Sequence, residues 1–138
     1  MDDQELVKLA LDARERTYAP YSHFAVGAAL LCEDGSVYQG CNIENAAYTP
    51  SCCAERMAFA RALYDGKRSF AAIAVAGSPE GKPTTDYCAP CGVCRQVMRE
   101  FCNPKTFRIV LGRSNGEPRT HLLGELFPES FGPENLGM

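Results

Sequence analysis

Residues 24–32 read FAVGAALLC, and residues 33–36 read EDGS. An uninterrupted apolar run that ends in turn-forming residues predicts a buried strand. Asp34-Gly35 is a strong hairpin signal, because this pair tolerates the positive φ angles of the tightest turns. We therefore expect residues 37–43 to return along residues 24–32 as the second strand of a hairpin.

The rest of the chain alternates between helical patterns and apolar strand patterns. Helices are expected at 3–18, 53–63, 91–101 and 124–127, strands at 69–76, 107–111 and 119–123, and a loop rich in Gly and Pro at 77–89. Strands that alternate with helices imply a sheet covered on both faces. The sequence thus predicts an α/β fold, a three-layer α/β/α sandwich with a mixed five-stranded sheet, in which residues 1–138 form a single domain.

The composition is ordinary for a globular protein, with 46% apolar residues, 22% charged residues and a net charge of -3. Since no run of Lys or Arg is present, we expect binding to neither nucleic acid nor a membrane surface. The N-terminal residues lack the basic start and apolar core of a secretory signal. No apolar run is long enough to span a bilayer. We therefore expect a cytoplasmic protein.

Eight cysteines stand at positions 32, 41, 52, 53, 88, 91, 94 and 102. In a secreted protein an even number would suggest disulfides, whereas in the cytoplasm the thiols should stay reduced. Cys32, Cys41 and Cys102 lie in or beside apolar segments, so we expect them to pack in the core. Some of the other thiols are candidates for metal binding or reactivity.

The strongest chemical signal is a split cluster, Cys53-Ala54-Glu55 followed by Pro90-Cys91-Gly92-Val93-Cys94. Residues three apart on a helix lie on one face, so Cys91 and Cys94 can bind one ion together. Cys53, at the start of another predicted helix, can supply a third thiolate. Three protein ligands leave one tetrahedral position open, which is typical of a catalytic zinc site.

Glu55 lies two residues after Cys53, beside the predicted open position. A carboxylate there can take a proton from water and return it to a leaving amine; the alternative is a solvated charge on a helix surface. The Cys-x-Glu spacing selects Cys53 over Cys52 as the ligand. Cys88 could close the site as a fourth ligand, but Pro90 should begin the helix after it, so we place Cys88 in the preceding loop.

The charge of the cluster predicts a further contact. Zinc with three thiolates is negatively charged overall, which makes it a poor acid toward water unless positive potential is nearby. Both ligand groups are expected at helix N-termini, where the backbone lowers thiol pKa values. Arg56 and Arg95 each follow a ligand segment. We expect one or both to donate hydrogen bonds to ligand sulfurs; the alternative is that they are surface arginines.

Four segments together resemble the zinc nucleoside deaminases, and within them the small homotetrameric cytidine deaminases. They read PYSHFAVGAAL at 20–30, GCNIENAAY at 40–48, CAER with PCGVCRQ at 53–56 and 90–96, and ELFPESFGP at 125–133. They occur in the family's order over nearly the whole chain. The resemblance implies the cytidine deaminase fold, one Zn²⁺ per subunit held by the three cysteines, and acid–base catalysis by Glu55.

The resemblance also implies substrate contacts. Asn42 and Glu44 would hydrogen-bond the ribose 3′-hydroxyl, although on their own they would be read as a polar turn after a strand. Phe24 would pack against the pyrimidine ring, although a strand Phe is commonly a core residue. The Ala54 N–H would meet the pyrimidine O2, and Glu55 would also contact N3 and the 4-amino group.

A shared active site is a further implication. Tyr48 and Phe131 would reach the site from neighbouring subunits of a homotetramer, so an isolated monomer should be inactive. The implied reaction is hydrolytic deamination of cytidine and 2′-deoxycytidine to uridine and 2′-deoxyuridine with release of ammonia, a reaction of pyrimidine salvage. Departures from the family pattern are Pro50-Ser51-Cys52, the somewhat long loop with its extra Cys88, and Phe127 in place of Leu. They bear on substrate preference rather than on reaction type.

Three other interpretations fit parts of the sequence. A blasticidin-S deaminase shares the zinc motifs, but residues 42–48 favour a nucleoside enzyme. A Cys-x-x-Cys thiol oxidoreductase would leave Cys53 and Glu55 without a role. A non-enzymatic, zinc-stabilised binding module would need a closed site with Cys88 as its fourth ligand.

Overall fold

The computed structural model describes residues 1–138. Its helices are α1 (Asp3–Arg14), α2 (Ala54–Tyr64), α3 (Gly92–Phe101) and α4 (Leu123–Leu126), followed by a 3₁₀ helix at Pro133–Leu136. Its strands are β1 (Phe24–Cys32), β2 (Val37–Cys41), β3 (Phe70–Pro79), β4 (Arg108–Leu111) and β5 (Arg119–Leu122). The order of elements is the one predicted from the sequence.

The strands form one mixed sheet in the order β2-β1-β3-β4-β5. β1 is antiparallel to both β2 and β3, β3 is parallel to β4, and β4 is antiparallel to β5. The predicted hairpin is present: Leu31 pairs with Val37, and Gly35 in the turn has a φ of 92°, a value that glycine adopts without steric cost.

The two faces of the sheet bury separate apolar clusters. On one face α1 contributes Leu6, Val7 and Ala10, which pack against alanines of β1 and β3. On the other face the larger cluster joins residues of α2 and α3 to β1, β3 and β4. Because side chains alternate along a strand, neighbours such as Ala29 and Leu30 serve opposite layers. The predicted three-layer α/β/α sandwich is confirmed.

Two glycines allow helices to lie directly on the sheet. A Cβ at Gly40 in β2 would stand 2.3 Å from the carbonyl oxygen of Ala54 and 2.7 Å from the nitrogen of Ala58. A Cβ at Gly27 in β1 would stand 1.9 Å from the carbonyl oxygen of Ala10. Only glycine permits such backbone contacts. Gly40 therefore fixes the position of the first turn of α2, which follows Cys53.

Three element boundaries differ from the predicted ones by two or more residues. α1 ends at Arg14 rather than at residue 18, because Tyr18 instead bridges to Ile43. β2 ends at Cys41 rather than at 43. β3 runs on to Pro79, beyond the predicted 76, because it keeps pairing with β1 until Phe24 opposes Pro79. Long-range pairing sets each of these ends.

Helices α2 and α3 contact each other where the ring of Phe59, midway along α2, stacks on that of Phe101, at the end of α3, with their centroids 6.1 Å apart. Cys32, Cys41 and Cys102 are buried, as expected for packing residues. None of the helices combines the length and hydrophobicity that crossing a bilayer requires.

Candidate metal centre and active site

Three sulfurs converge at the starts of α2 and α3. The Sγ atoms of Cys53, Cys91 and Cys94 lie within 4.8 Å of one another, and those of Cys53 and Cys91 are 4.0 Å apart. Thiolates arranged tetrahedrally around zinc at the usual bond length of about 2.3 Å are about 3.8 Å apart. The three residues therefore fit a zinc ion. Cys88 does not belong to this group, so the closed four-thiolate site is not formed.

The local fold explains the convergence. Cys53 is the N-cap residue of α2 and Cys91 is the N-cap residue of α3. Neither side chain makes a capping hydrogen bond, so the free N–H groups of both first turns place positive partial charge beside the sulfurs. Cys94 lies within the first turn of α3 and is buried. The predicted placement of the thiols at helix N-termini is confirmed.

Arg56 adds positive charge to the cluster. Its Nη2 donates to Sγ of Cys53 at 3.6 Å and to the carbonyl of Ser51 at 3.0 Å. The Cys94 thiol and the Arg56 guanidinium both hydrogen-bond Cys53 and lower its pKa to about 5. The same hydrogen bond to Cys53, together with burial, raises the pKa of Cys94. Arg56 thus stabilises the thiolate form of Cys53.

Arg95 does not take the same role. Its Nη1 donates to the carbonyl of Leu126, and its guanidinium lies over the ring of Phe127 with 5.6 Å to the centroid. The expectation that one or both arginines donate to ligand sulfurs holds for Arg56 alone. Phe127, at a position where Leu was expected, provides the aromatic face against which Arg95 packs.

Glu55 is buried beside the thiols, with 4% of its surface exposed. Burial disfavours the charged carboxylate and raises the pKa of Glu55 to about 7. A pocket of about 280 Å³ opens onto this carboxyl group and onto Cys53 and Cys91. Its walls also contain Phe24, Asn42, Glu44 and Ala54. The structure therefore brings together these residues, which the sequence had placed in one site.

Asn42 and Glu44 both hold the wall of this pocket through hydrogen bonds within the chain. The Asn42 Oδ1 accepts from the Val26 N–H at 2.9 Å and from the Thr17 hydroxyl at 2.8 Å, and its Nδ2 donates to the Phe24 carbonyl at 2.8 Å. One N–H of Asn42 remains for a ligand.

Glu44 is engaged in the same way. Its Oε1 accepts from the backbone N–H groups of Tyr21 and Ser22 at 3.0 Å each, and its Oε2 accepts from the Ser22 hydroxyl. The hydrogen bond from the Ser22 hydroxyl is the main reason why the pKa of Glu44 is lowered. Glu44 therefore stays ionised and fixes the segment that leads into Phe24.

Comparison with known proteins agrees with this geometry. Residues 1–110 match the model of the cytidine and deoxycytidylate deaminase zinc-binding region. The chain is 47% identical to a cytidine deaminase of Sporosarcina psychrophila over 136 residues, which cover 99% of this chain and 96% of that protein. It is 46% identical to a cytidine deaminase of Halalkalibacterium halodurans over 136 residues, covering 99% of this chain and 98% of that protein.

The chain belongs to the cytidine and deoxycytidylate deaminase family. The crystal structure of a cytidine deaminase from Burkholderia pseudomallei superposes on it with a TM-score of 0.86 at 48% identity, over 95% of this chain and 100% of that one. The predicted cytidine deaminase fold is therefore confirmed. Zinc is the metal of this family's binding region, and Cys53, Cys91 and Cys94 are the residues that can hold it.

Tyr48 and Phe131 stand apart from the pocket of this deaminase chain. Their side chains are 72% and 57% exposed. Tyr48 contacts Tyr21 edge-on, with ring centroids 6.3 Å apart. A role for either residue in a neighbouring subunit's site stays a prediction.

Sequence reasoning missed the residues that hold the C-terminal segment of this deaminase. Gln96 Nε2 donates to the Phe131 carbonyl at 2.9 Å. The buried Arg99 donates to the Ser130 hydroxyl at 2.9 Å and pairs with Glu134 at 2.7 Å. Gln96 follows the ligand motif directly, but nothing in its spacing points to a partner 35 residues away. These contacts fix Phe131 relative to the ligand helix α3.

Proposed function

We propose that the chain catalyses the hydrolytic deamination of cytidine and 2′-deoxycytidine to uridine and 2′-deoxyuridine with release of ammonia. The observation that carries the proposal is a buried carboxyl group, that of Glu55, which lies beside three convergent thiols in a pocket of about 280 Å³. The names of the similar proteins, which are cytidine deaminases, support the choice of substrate.

Glu55 moves the protons in this proposal. When bound by the three cysteines, zinc supplies Lewis acidity that activates a water molecule for attack. Glu55 takes a proton from that water and gives it to N3 while the oxygen adds to C4 of the pyrimidine. The Glu55 carboxylate then takes the proton of the new C4 hydroxyl and delivers it to the leaving amine, which departs as ammonia while C4 becomes a carbonyl. Because Glu55 is buried, bulk water does not compete for this exchange.

Backbone and side-chain donors of this chain would orient the substrate. The Ala54 N–H, in the first turn of α2, would meet the pyrimidine O2, and Phe24 would pack on the ring. The free N–H of Asn42 and the carboxylate of Glu44 would bind the ribose 3′-hydroxyl. Since Asn42 and Glu44 are already held by the chain, they would bind the sugar without losing conformational freedom.

Four further properties belong to the same proposal. The chain forms a single domain, consistent with one sheet that includes all five strands. It assembles as a homotetramer, in which the exposed Tyr48 and Phe131 complete neighbouring sites. It acts in pyrimidine salvage. It works in the cytoplasm, where a reducing environment keeps thiol ligands free of disulfides.

The test combines metal content with ammonia release. We expect one zinc per subunit and ammonia from cytidine and 2′-deoxycytidine, but little from cytosine, CMP or blasticidin S. Release from blasticidin S instead of cytidine would point to the antibiotic deaminase. Absence of zinc together with dithiol–disulfide exchange activity would point to a thiol oxidoreductase, and either result would overturn the proposal.

A further inference from the structure

A second cavity adjoins the candidate substrate pocket. It is a groove of about 450 Å³, and its floor and sides include Gly77, Lys82 and Tyr87. Phe24 and Cys88 line both the groove and the substrate pocket. These two side chains are therefore the partition between the cavities. No element of the proposed reaction uses the groove.

The partition is thin and stands over Gly77. A Cβ at Gly77 would lie 3.1 Å from Sγ of Cys88, 3.1 Å from Cε1 of Phe24 and 3.0 Å from Cγ2 of Val26. The Cys88 thiol and the edge of the Phe24 ring thus both lie directly above the backbone of Gly77, where any side chain larger than that of glycine would contact them. The sulfur atom of Cys88 is therefore part of what separates the two cavities.

The groove is formed before any ligand binds, because its loop is tied down at several points. The buried hydroxyls of Ser78 and Thr84 hydrogen-bond each other at 3.1 Å. Thr84 and Ser114 exchange two further hydrogen bonds, of 3.0 Å from the Thr84 N–H and 2.7 Å from the Ser114 N–H. The loop therefore keeps its shape beside the pocket.

Tyr87 fixes the end of this loop next to Cys88. The guanidinium groups of Arg113 and Arg119 both lie over its ring, at 4.7 and 4.2 Å from the centroid. Its hydroxyl donates to the Glu117 carbonyl at 2.7 Å. These contacts hold the position of Cys88, which directly follows Tyr87, against the β4–β5 hairpin.

The orientation of a bound pyrimidine determines which ring atom faces the partition. In the proposed function, N1 carries the sugar, O2 meets the Ala54 N–H, and N3 and C4 face Glu55 and the thiols. Ring atoms C5 and C6 remain, and C5 is next to C4. Cys88 lines this pocket together with Glu55 and Cys91, on the side that adjoins the groove, so we assign it to the wall that C5 faces.

We propose that Cys88 sets the size of the C5 substituent that the enzyme accepts, and that the adjoining groove receives this substituent. The inference rests on the proposed function. The ligand class is cytidines that carry a neutral substituent at C5, because the groove presents one cation, Lys82, and one anion, Asp86. Cys88 is thus a specificity-determining residue rather than a metal ligand.

The test compares kcat/KM for 5-propynylcytidine with kcat/KM for cytidine in each variant. The ratio is measured for each enzyme and then compared between enzymes. Because the electronic effect of the substituent on C4 is the same in every enzyme, it cancels in this comparison. We expect Cys88→Ala to raise the ratio about tenfold or more, since one methylene-sized change in a pocket is worth at least that factor. Cys88→Val, which thickens the partition, should lower it by a similar factor.

Cys32→Ala provides the matched control, because it makes the same chemical change at a buried cysteine of β1 that lines neither cavity. Its ratio should equal that of the unmodified enzyme. Normal cytidine turnover with equal ratios in the Ala and Val variants would overturn this inference and leave the proposed function intact. Absence of ammonia release from cytidine in the unmodified enzyme would overturn both.

Discussion

The guanidinium of Arg56 donates a hydrogen bond to Sγ of Cys53, with 3.6 Å between Nη2 and the sulfur. This contact offsets part of the negative charge that three thiolates bring to a metal ion. Loss of such a partner to a ligand typically costs 10- to 100-fold in metal affinity or activity, roughly. We therefore expect Arg56→Gln to weaken zinc binding by about tenfold or more, measured by competition with a chromophoric chelator.

Arg95→Gln is the control for this change. Arg95 follows Cys94 as directly as Arg56 follows the Cys53 segment, but its guanidinium donates to a backbone carbonyl in α4. Zinc affinity should change little in this variant. Equal losses in the two variants would show that the contact with sulfur has no special effect.

Glu55→Gln should separate metal binding from turnover. Glutamine has nearly the shape of glutamate but cannot carry a proton between water and the amine. General acid–base catalysis contributes about 10²- to 10⁴-fold, so kcat for cytidine should fall by about 100-fold or more. Zinc content, measured by elemental analysis, should stay at that of the unmodified protein. Retained turnover in a zinc-loaded sample would exclude Glu55 as the proton carrier.

Asn42→Ala should lower stability even in the absence of substrate. The change leaves the Val26 N–H and the Phe24 carbonyl without their partners. An unsatisfied polar group costs about 1–3 kcal/mol when it is shielded from water. We expect a loss of about that size in the free energy of unfolding, measured in urea. Thr17→Val removes only the hydroxyl bonded to Asn42 and should cost about 1 kcal/mol or less.

A stability unchanged by Asn42→Ala would mean that water replaces the amide at both backbone groups. Asn42 would then be a ligand contact alone, and only KM for cytidine should respond to the substitution.

Subunit mixing tests whether Phe131 serves a neighbouring site. Phe131→Ala should lower kcat/KM about tenfold or more if its ring fills part of another subunit's pocket. Coexpression with Glu55→Gln subunits would then create some sites that hold an intact Glu55 and an intact Phe131. The specific activity of the mixture should exceed the sum of the two parent activities. A purely additive activity would place Phe131 in its own subunit's site or in none.

Gly40→Ala should be strongly destabilising, because its Cβ would stand 2.3 Å from the Ala54 carbonyl oxygen. Overpacking of this kind costs about 1–3 kcal/mol or more, and thermal unfolding of the metal-free protein should show it. Gly92→Ala is the matched control, since its Cβ would meet nothing nearer than the Arg95 side chain at 3.9 Å. As a helix residue it should gain stability, by up to about 1 kcal/mol. Similar losses for both variants would argue against the close approach of α2 to β2.

The predictable parts of this molecule are those with local signals. The Asp34-Gly35 turn placed the hairpin, and the spacing of Cys91 and Cys94 placed two thiols on one helix turn. The extension of β3 to Pro79 was not predictable, because it depends on pairing with Phe24. A local sequence pattern does not indicate a pairing partner that is distant in the sequence.

The wall of the candidate substrate pocket was also only partly predictable from the sequence. The sequence indicated that Asn42 and Glu44 belong to the site, but not that each already holds the backbone around Phe24. The hydrogen-bond partner of Arg95 could not be predicted either. Whether Arg95 donates to a ligand sulfur or to the Leu126 carbonyl depends on where α4 packs. Tertiary packing decides such hydrogen bonds, because two or more partners are chemically suitable and the folded structure brings only one of them within reach.

The stacked rings of Phe59, midway along α2, and Phe101, at the end of α3, hold the two helices together away from the thiols. At the starts of the two helices the sulfurs of Cys53, Cys91 and Cys94 come together. An ion bound there would be a second cross-link between α2 and α3, and it would close a loop between Cys53 and Cys91, which are 38 positions apart in the chain. A bound zinc ion would therefore both activate the water and hold the two helix starts together, so loss of the metal would remove the catalyst and loosen the surrounding structure in one event.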